Sequence, residues 1–244
     1  MFELENVSVE FENVAALRDV TLRVGQGERV VLVGASGAGK STLLALLNGS
    51  LLPTRGRVRL LGKNFAQLSR AEQRATQRHI GSIYQQFHLV PNLPVIHNVN
   101  AGHLGAWSFA RAAWSLARPS QRETARRALA QVGIAEKIDA RTESLSGGQQ
   151  QRVAIARVLV QNPQAILADE PISSLDPERG REIMDLLRDI SVHSARTLVC
   201  SLHAVEYALT HFDRVIGLRH GQKVFDLPTA QVSPHLFDAL YQTP

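Results

Sequence analysis

Nine consecutive residues constrain this chain more than any other stretch: Gly34-Ala35-Ser36-Gly37-Ala38-Gly39-Lys40-Ser41-Thr42. They match the pattern G-x-x-x-x-G-K-[S/T] in full. A continuous apolar run at 30–33 precedes them, as in a strand buried on both faces, and a helical segment over 41–51 follows. Strand, glycine-rich turn and helix are the context such a loop requires. Phosphate oxygens crowd the backbone there, so glycine stands where a Cβ would collide. Successive N–H groups make a concave nest for anions, and the helix adds its positive N-terminal end. Lys40 brings a point charge to the β- and γ-phosphates of a nucleotide, and the Ser41 hydroxyl suits Mg2+. The alternative is an accidental glycine-rich turn, and the flanking strand and helix weigh against it.

Two further stretches extend this chemistry. Ile166-Leu167-Ala168 is apolar and ends in Asp169-Glu170. Adjacent acids at the end of a buried strand are costly without partners. Beside a nucleotide, Asp169 can hold Mg2+ directly or through water, and Glu170 can take a proton from an attacking water. Alone, the pair also reads as an ordinary loop start. Leu145-Ser146-Gly147-Gly148-Gln149 opens a helical run to 161. Ser146 and the Gly147 and Gly148 amides form a second anion site at a helix start. By spacing alone they also read as a serine N-cap followed by glycines in a turn. Two phosphate sites leave two arrangements open: one nucleotide touching both within a chain, or two chains sharing it.

Composition excludes several classes. The 244 residues are 44% apolar and 20% charged, too hydrophobic for a chain disordered throughout. That length suits one or two domains with a full core. Cys200, the single cysteine, forms no internal bridge and suits a reducing compartment. No stretch reaches the roughly 18 consecutive apolar residues that span a bilayer. The first twelve residues are acidic and alternating, unlike a signal peptide. The expectation is a chain soluble on its own, reaching a membrane only through a partner. The net charge of +5 is locally concentrated. Arg55, Arg57, Arg59, Lys63, Arg70, Arg74 and Arg78 stand against Glu72 alone, and Arg111, Arg118, Arg122, Arg126 and Arg127 against Glu123. These read as solvated faces, with an anionic partner as the sharper alternative. Aromatics at 5% leave little for base stacking, so no nucleic-acid partner is expected. His88, His97 and His103 show no ligand spacing, and no Cys/His cluster suggests zinc.

Residues 2–9 and 17–24 alternate as strands with one wet face, whereas 165–168 and 198–202 are apolar runs, each followed by a helical stretch. Asp176 and Pro177 suit the N-cap and first turn of a helix over 178–191. Strands alternating with helices argue for a parallel α/β sheet. Residues 215–218 and 223–226 flank a turn at 219–222 as a hairpin. Strands are absent from 87–161, where 121–132 and 149–161 are helix-like, and this reads as a helical insertion. No Pro/Gly/Ser-rich linker separates the parts, so packed subdomains are expected.

Taken in order, the phosphate loop, Leu145-Ser146-Gly147-Gly148-Gln149 and Leu167-Ala168-Asp169-Glu170-Pro171 resemble the nucleotide-binding subunits of ATP-binding cassette (ABC) transporters, over nearly the whole chain. The resemblance implies a single ATP-binding domain over 1–244. Its P-loop NTPase (RecA-like) α/β core and N-terminal antiparallel β subdomain would occupy about 1–86 and 162–244, and an inserted α-helical subdomain about 87–161. It implies that two copies pair head to tail with ATP and Mg2+ between the phosphate loop of one and Ser146-Gly147-Gly148-Gln149 of the other. It further implies transmembrane permease subunits as partners, an external substrate-binding protein acting indirectly, and a peripheral position on the cytoplasmic face of the inner or plasma membrane.

Further residues match the family's motifs. Gln85 matches the Q-loop glutamine, a Mg2+ and γ-phosphate contact; without the family it is a polar strand-end residue. Asp176, in Ser174-Leu175-Asp176, matches the D-loop at the dimer interface. His203 matches the switch histidine beyond a buried strand, where a lone histidine is otherwise structural. Phe11 matches the aromatic that stacks on adenine, with packing in the first sheet as its alternative. A permease helix would dock around 87–103. No appended regulatory domain is expected beyond the chain end near Pro244, and 233–234 are expected to begin one short helix.

Longer strings resemble the ATPase subunits of phosphonate importers, whose relatives take up phosphite or phosphate-like anions. They are Ser201-Leu202-His203-Ala204-Val205-Glu206-Tyr207-Ala208, Val215-Ile216-Gly217-Leu218-Arg219 with Val224-Phe225-Asp226, and His103-Leu104-Gly105 after Asn98-Val99. Leu227 and Ile172-Ser173 depart from that pattern. An importer ATPase is therefore expected. The same chemistry in an exporter or lipid-extraction system, or in a cassette acting on DNA or ribosomes, is the alternative.

Overall fold

The computed structural model describes residues 1–12, 14–118 and 120–241. Strand β1 (Phe2–Phe11) pairs antiparallel with β2 (Val14–Val24), and its other edge pairs with β4 (Arg55–Leu60), which β5 (Lys63–Asn64) extends. Phe2, Leu4, Val7 and Val9 of β1 point into the core. The opposite face carries Glu3, Glu5 and Glu10, paired with Arg59, Arg57 and Arg55 at 3.6, 3.9 and 3.4 Å. The first basic run is therefore partly a cross-strand ladder of opposite charges.

The second sheet has the order β10-β9-β3-β8-β7-β6. Its members are β3 (Arg29–Val33), β6 (Ile80–Ile83), β7 (Ala165–Asp169), β8 (Thr197–Leu202), β9 (Arg214–Arg219) and β10 (Gln222–Pro228). All adjacent pairs are parallel except the β9–β10 hairpin, which turns through left-handed His220 and Gly221. Both faces are buried. Val30 and Leu32 of β3 meet the first sheet and α1 (Lys40–Leu47), while Val31 and Val33 join the core under the helices. That explains why these strands read as unbroken apolar runs. Helix α1 ends four residues before the expected boundary. Asn48 caps it and Gly49 turns left-handed against Phe65, whose ring a Cβ would approach to 2.4 Å.

Between β6 and β7 the described residues form helices: α3 (Val95–Asn100), α4 (Phe109–Ala117), α5 (Arg122–Gln131) and α6 (Gly147–Gln161). Helix α2 (Arg70–Gln77), begun by a Ser69–Glu72 capping box, precedes β6. Helix α7 (Pro177–Ser194) begins on Asp176, whose carboxylate accepts from the Arg179 N–H, with Pro177 in the first turn as the sequence indicates. It leads to β8. Helix α8 (Val205–His211) follows β8, and α9 (Pro234–Tyr241) follows β10. Arg152 of α6 bridges to Glu182 of α7 at 2.6 Å and donates to the Val132 carbonyl at the end of α5, tying three helices together. The expectation attached to Pro244 lies outside the described residues.

Candidate functional site

The loop between β3 and α1 is shaped by its glycines. A Cβ on Gly34 would fall 2.2 Å from the Leu218 carbonyl oxygen, and one on Gly39 would fall 2.7 Å from the Ala16 oxygen. Gly37 is left-handed and has open space at its Cβ position. Gly39 is the N-cap of α1 and supplies no side-chain acceptor, so first-turn N–H groups face the loop. Lys40 is only 4% exposed and donates to the Gly34 and Ala35 carbonyls at 2.8 and 3.1 Å. Burial pulls its ammonium below the ordinary lysine range, against the opposing pull of Glu170 and then Asp169. The Glu170 carboxylate is 4.0 Å from the Lys40 Nζ.

The two acids end β7 beside β8, and a residue of β8 orients both. The Ser201 hydroxyl donates to Asp169 at 2.5 Å and accepts from the Glu170 N–H at 3.0 Å. Glu170 takes a left-handed backbone, φ 47°, unusual for a non-glycine residue and costing about 1–2 kcal/mol. Its carboxylate meets His203 Nε2 at 2.5 Å just beyond the end of β8. Lys40, Asp169, Glu170 and His203 therefore converge at the carboxyl end of the parallel sheet, where open α/β sheets bind ligands. A cavity of about 70 Å3 is lined by Ser41 and Asp169 together with Ser82 and Tyr84.

Ser146 begins α6 in a reciprocal capping box with Gln149. The Gly147 Cβ position faces Leu175, and that of Gly148 faces Arg179 at 3.4 Å, so the α6 and α7 starts lie together. Ser146, Gly148 and Gln149 share a cavity of about 490 Å3 with Arg179. No hydrogen bond or ion pair among the described residues joins Ser146, Gly147, Gly148 or Gln149 to Lys40, Asp169, Glu170 or His203. Asp176 bridges the two regions, because it also lines a cavity of about 290 Å3 with Glu170 and His203.

Gln85 lies exposed in the turn after β6. Arg157 of α6 holds this turn by donating to the Phe87 and His88 carbonyls at 2.8 and 2.6 Å. Burial lowers the Arg157 guanidinium, which nevertheless holds two otherwise awkward carbonyls at left-handed residues. Beside the turn, a groove of about 610 Å3 is lined by Tyr84, His88, His103, Trp107 and Arg157. Phe11 ends β1 with 48% of its surface exposed, so packing in the first sheet does not account for it. The roles of Arg157 and Ser201 carry no signal in their own spacing, since their partners lie 70 and 32 residues away.

Residues 17–173 match the family model described as ABC transporter. The chain is 46% identical over 239 residues to the phosphonates import ATP-binding protein PhnC of Pseudomonas putida, covering 98% of this chain and 88% of that one. It is 42% identical over 242 residues to the phosphonates import ATP-binding protein PhnC 3 of Halalkalibacterium halodurans, covering 99% and 94%. Among solved structures, a dimeric ATP-binding cassette in a post-hydrolysis state with ADP and Pi matches with TM-score 0.81 and 33% identity, over 94% of this chain and 99% of that one. A dimeric bacterial ABC transporter cassette matches with TM-score 0.82 and 32% identity, over 94% and 99%.

Proposed function

The chain belongs to the ABC transporter family, and on that premise we propose that it is the ATP-hydrolysing subunit of an importer for phosphonate or a related phosphorus oxyanion. The observation that carries the hydrolytic reading is the convergence of Lys40, Asp169, Glu170 and His203 at one sheet end. The near full-length identity to proteins named for phosphonate import supports the substrate class.

The residues present fit a nucleotide and its metal. The loop from Gly34 through Ala35, Ser36, Gly37, Ala38 and Gly39 to Lys40, Ser41 and Thr42 has a backbone that side chains would fill, and its lysine is already desolvated. Ser41 and Asp169, with Gln85 from the adjoining turn, are oxygen donors suited to Mg2+, which keeps waters and phosphate oxygens in its shell. When bound, Mg2+ supplies charge neutralisation for the β- and γ-phosphates. Lys40 counters negative charge on the same phosphates. Glu170 accepts the proton of the attacking water, and its contact with His203 fixes the carboxylate's direction. His203 stabilises γ-phosphate charge as the bond to the leaving oxygen lengthens. Phe11 offers its exposed ring to adenine.

Ser146, Gly147, Gly148 and Gln149 then serve the nucleotide of a second copy, with Asp176 running along the interface. The similarity to cassettes solved as dimers supports the shared arrangement over a single-chain one. On this reading a permease helix docks at the groove beside Gln85, whose wall includes Arg157 of α6. No helix among the described residues is long and apolar enough to cross a membrane. Peripheral attachment through permease subunits, at the cytoplasmic face, follows from this reading, with a substrate-binding protein delivering cargo to the permease.

The test is ATP turnover by the assembly of this subunit, its permease and its binding protein in lipid. Phosphonate, phosphite, phosphate and an unrelated amino acid are titrated, with Glu170→Gln as blank. Stimulation by a phosphorus oxyanion alone is the expected result. Equal activity with every ligand, or stimulation by the amino acid, contradicts the substrate class.

A further inference from the structure

We infer that Tyr241, at the end of α9, is a positioning residue for hydrolysis: its hydroxyl fastens the backbone at His203 to α9, and so sets the imidazole against Glu170. The inference rests on the reading of His203 and Glu170 given above and adds a residue outside every motif.

Tyr241 meets the sheet where a strand ladder stops. Strands β3 and β8 pair in parallel register up to Val33 and Leu202. The next residues are Gly34, which enters the phosphate loop, and His203, which carries the imidazole. Here the chains diverge, and backbone groups that a continued ladder would have paired need other partners. The Tyr241 hydroxyl stands at this place. It donates to the His203 carbonyl at 3.3 Å. A phenol hydroxyl donates one hydrogen bond, and here it goes to the backbone that carries the imidazole.

The helix that carries this hydroxyl is firmly seated. Leu240 and Phe237 are buried at 1% and 5% exposure, and Phe237 packs edge-on against Phe225 of β10 with ring centroids 6.4 Å apart. Burial raises the Tyr241 phenol above its ordinary range, so it keeps its donated proton through neutral pH. The consequence lies at the far side of His203, whose Nε2 meets Glu170 at 2.5 Å. Catalytic groups must be held within about half an ångström of the productive geometry. Releasing the His203 backbone loosens that contact without removing any group that touches ATP.

The experiment compares full-length wild type, Tyr241→Phe, His203→Ala and a protein with 4-aminophenylalanine at 241, which restores a hydrogen-bond donor on the same ring. ATP turnover is measured across ATP concentration at a temperature where thermal melts show all four folded. For Tyr241→Phe the expected result is a roughly tenfold lower kcat with KM for ATP within about threefold, since a transition-state contact is weakened and binding is retained. The 4-aminophenylalanine protein should recover to within a few-fold of wild type. Wild-type kcat in Tyr241→Phe, a raised KM at unchanged kcat, or no recovery with the amino group overturns the inference. His203→Ala separates the two levels. Near-wild-type turnover in His203→Ala defeats the underlying site reading, whereas its loss alongside an inert Tyr241→Phe defeats only the role of Tyr241.

Discussion

Ser201 illustrates how the site is held at the scale of single residues. Its hydroxyl donates to Asp169 and accepts from the Glu170 amide, so one buried side chain orients the candidate metal ligand and the candidate base. Removing an outer-shell partner of this kind typically costs 10–100-fold in metal affinity or activity. Ser201→Ala is therefore expected to lower kcat by about 10–100-fold and to reduce stability by about 1–3 kcal/mol, checked by steady-state ATPase assays and urea unfolding. The groups legible in the sequence are those whose chemistry needs a fixed local spacing: Gly34, Gly39, Lys40 and Ser41 act through one turn of backbone. Ser201, Arg157 and Tyr241 were not legible in these roles, because each acts on a partner that only the sheet or a helix packing brings near.

At the scale of elements, the β9–β10 hairpin shows a charge pair inside a secondary structure. Arg214 grips Asp226 across the hairpin through two hydrogen bonds of 2.6 and 2.9 Å and also donates to the Arg23 carbonyl of β2. Burial raises the Asp226 carboxyl, but hydrogen bonds from Arg214 and Lys223 outweigh it and hold it below the ordinary range. A depressed carboxylate contributes stability above the unfolded value of about 4 and loses it as pH falls through the lower folded value. Asp226→Asn should thus cost about 1.5–3 kcal/mol at pH 7, and the gap from wild type should shrink below about pH 4 in pH-dependent denaturant melts. Arg157 acts between elements, from α6 to the turn holding Gln85. Arg157→Ala should leave basal turnover within a few-fold while abolishing stimulation of the assembly by cargo; retained stimulation contradicts the coupling role. Buried strands β3, β7 and β8 were legible because both faces are covered. Strand β4 was not, because Arg55, Arg57 and Arg59 occupy its exposed alternation and only Val58 and Leu60 are buried.

At the scale of the whole molecule, one phosphate-binding motif begins α1 and the other begins α6, and the proposed function has a second copy bring them to one nucleotide. A bulky cation at Ser146 would obstruct that meeting without touching Lys40. Ser146→Arg is expected to bind nucleotide as wild type yet fail to dimerise with ATP, by nucleotide titration and light scattering. The net charge of +5 is consistent with this protein-based assembly, since Arg55, Arg57 and Arg59 already face Glu10, Glu5 and Glu3. Order of motifs was legible along the chain, but the meeting of the α6 and α7 starts was not, since it depends on how the helices pack. The most direct measurement is light scattering of Glu170→Gln with and without ATP, alongside its turnover. The account predicts at least about a 100-fold loss of turnover and a doubling of mass on adding ATP. Wild-type turnover, or a species that stays monomeric with ATP bound, would contradict it.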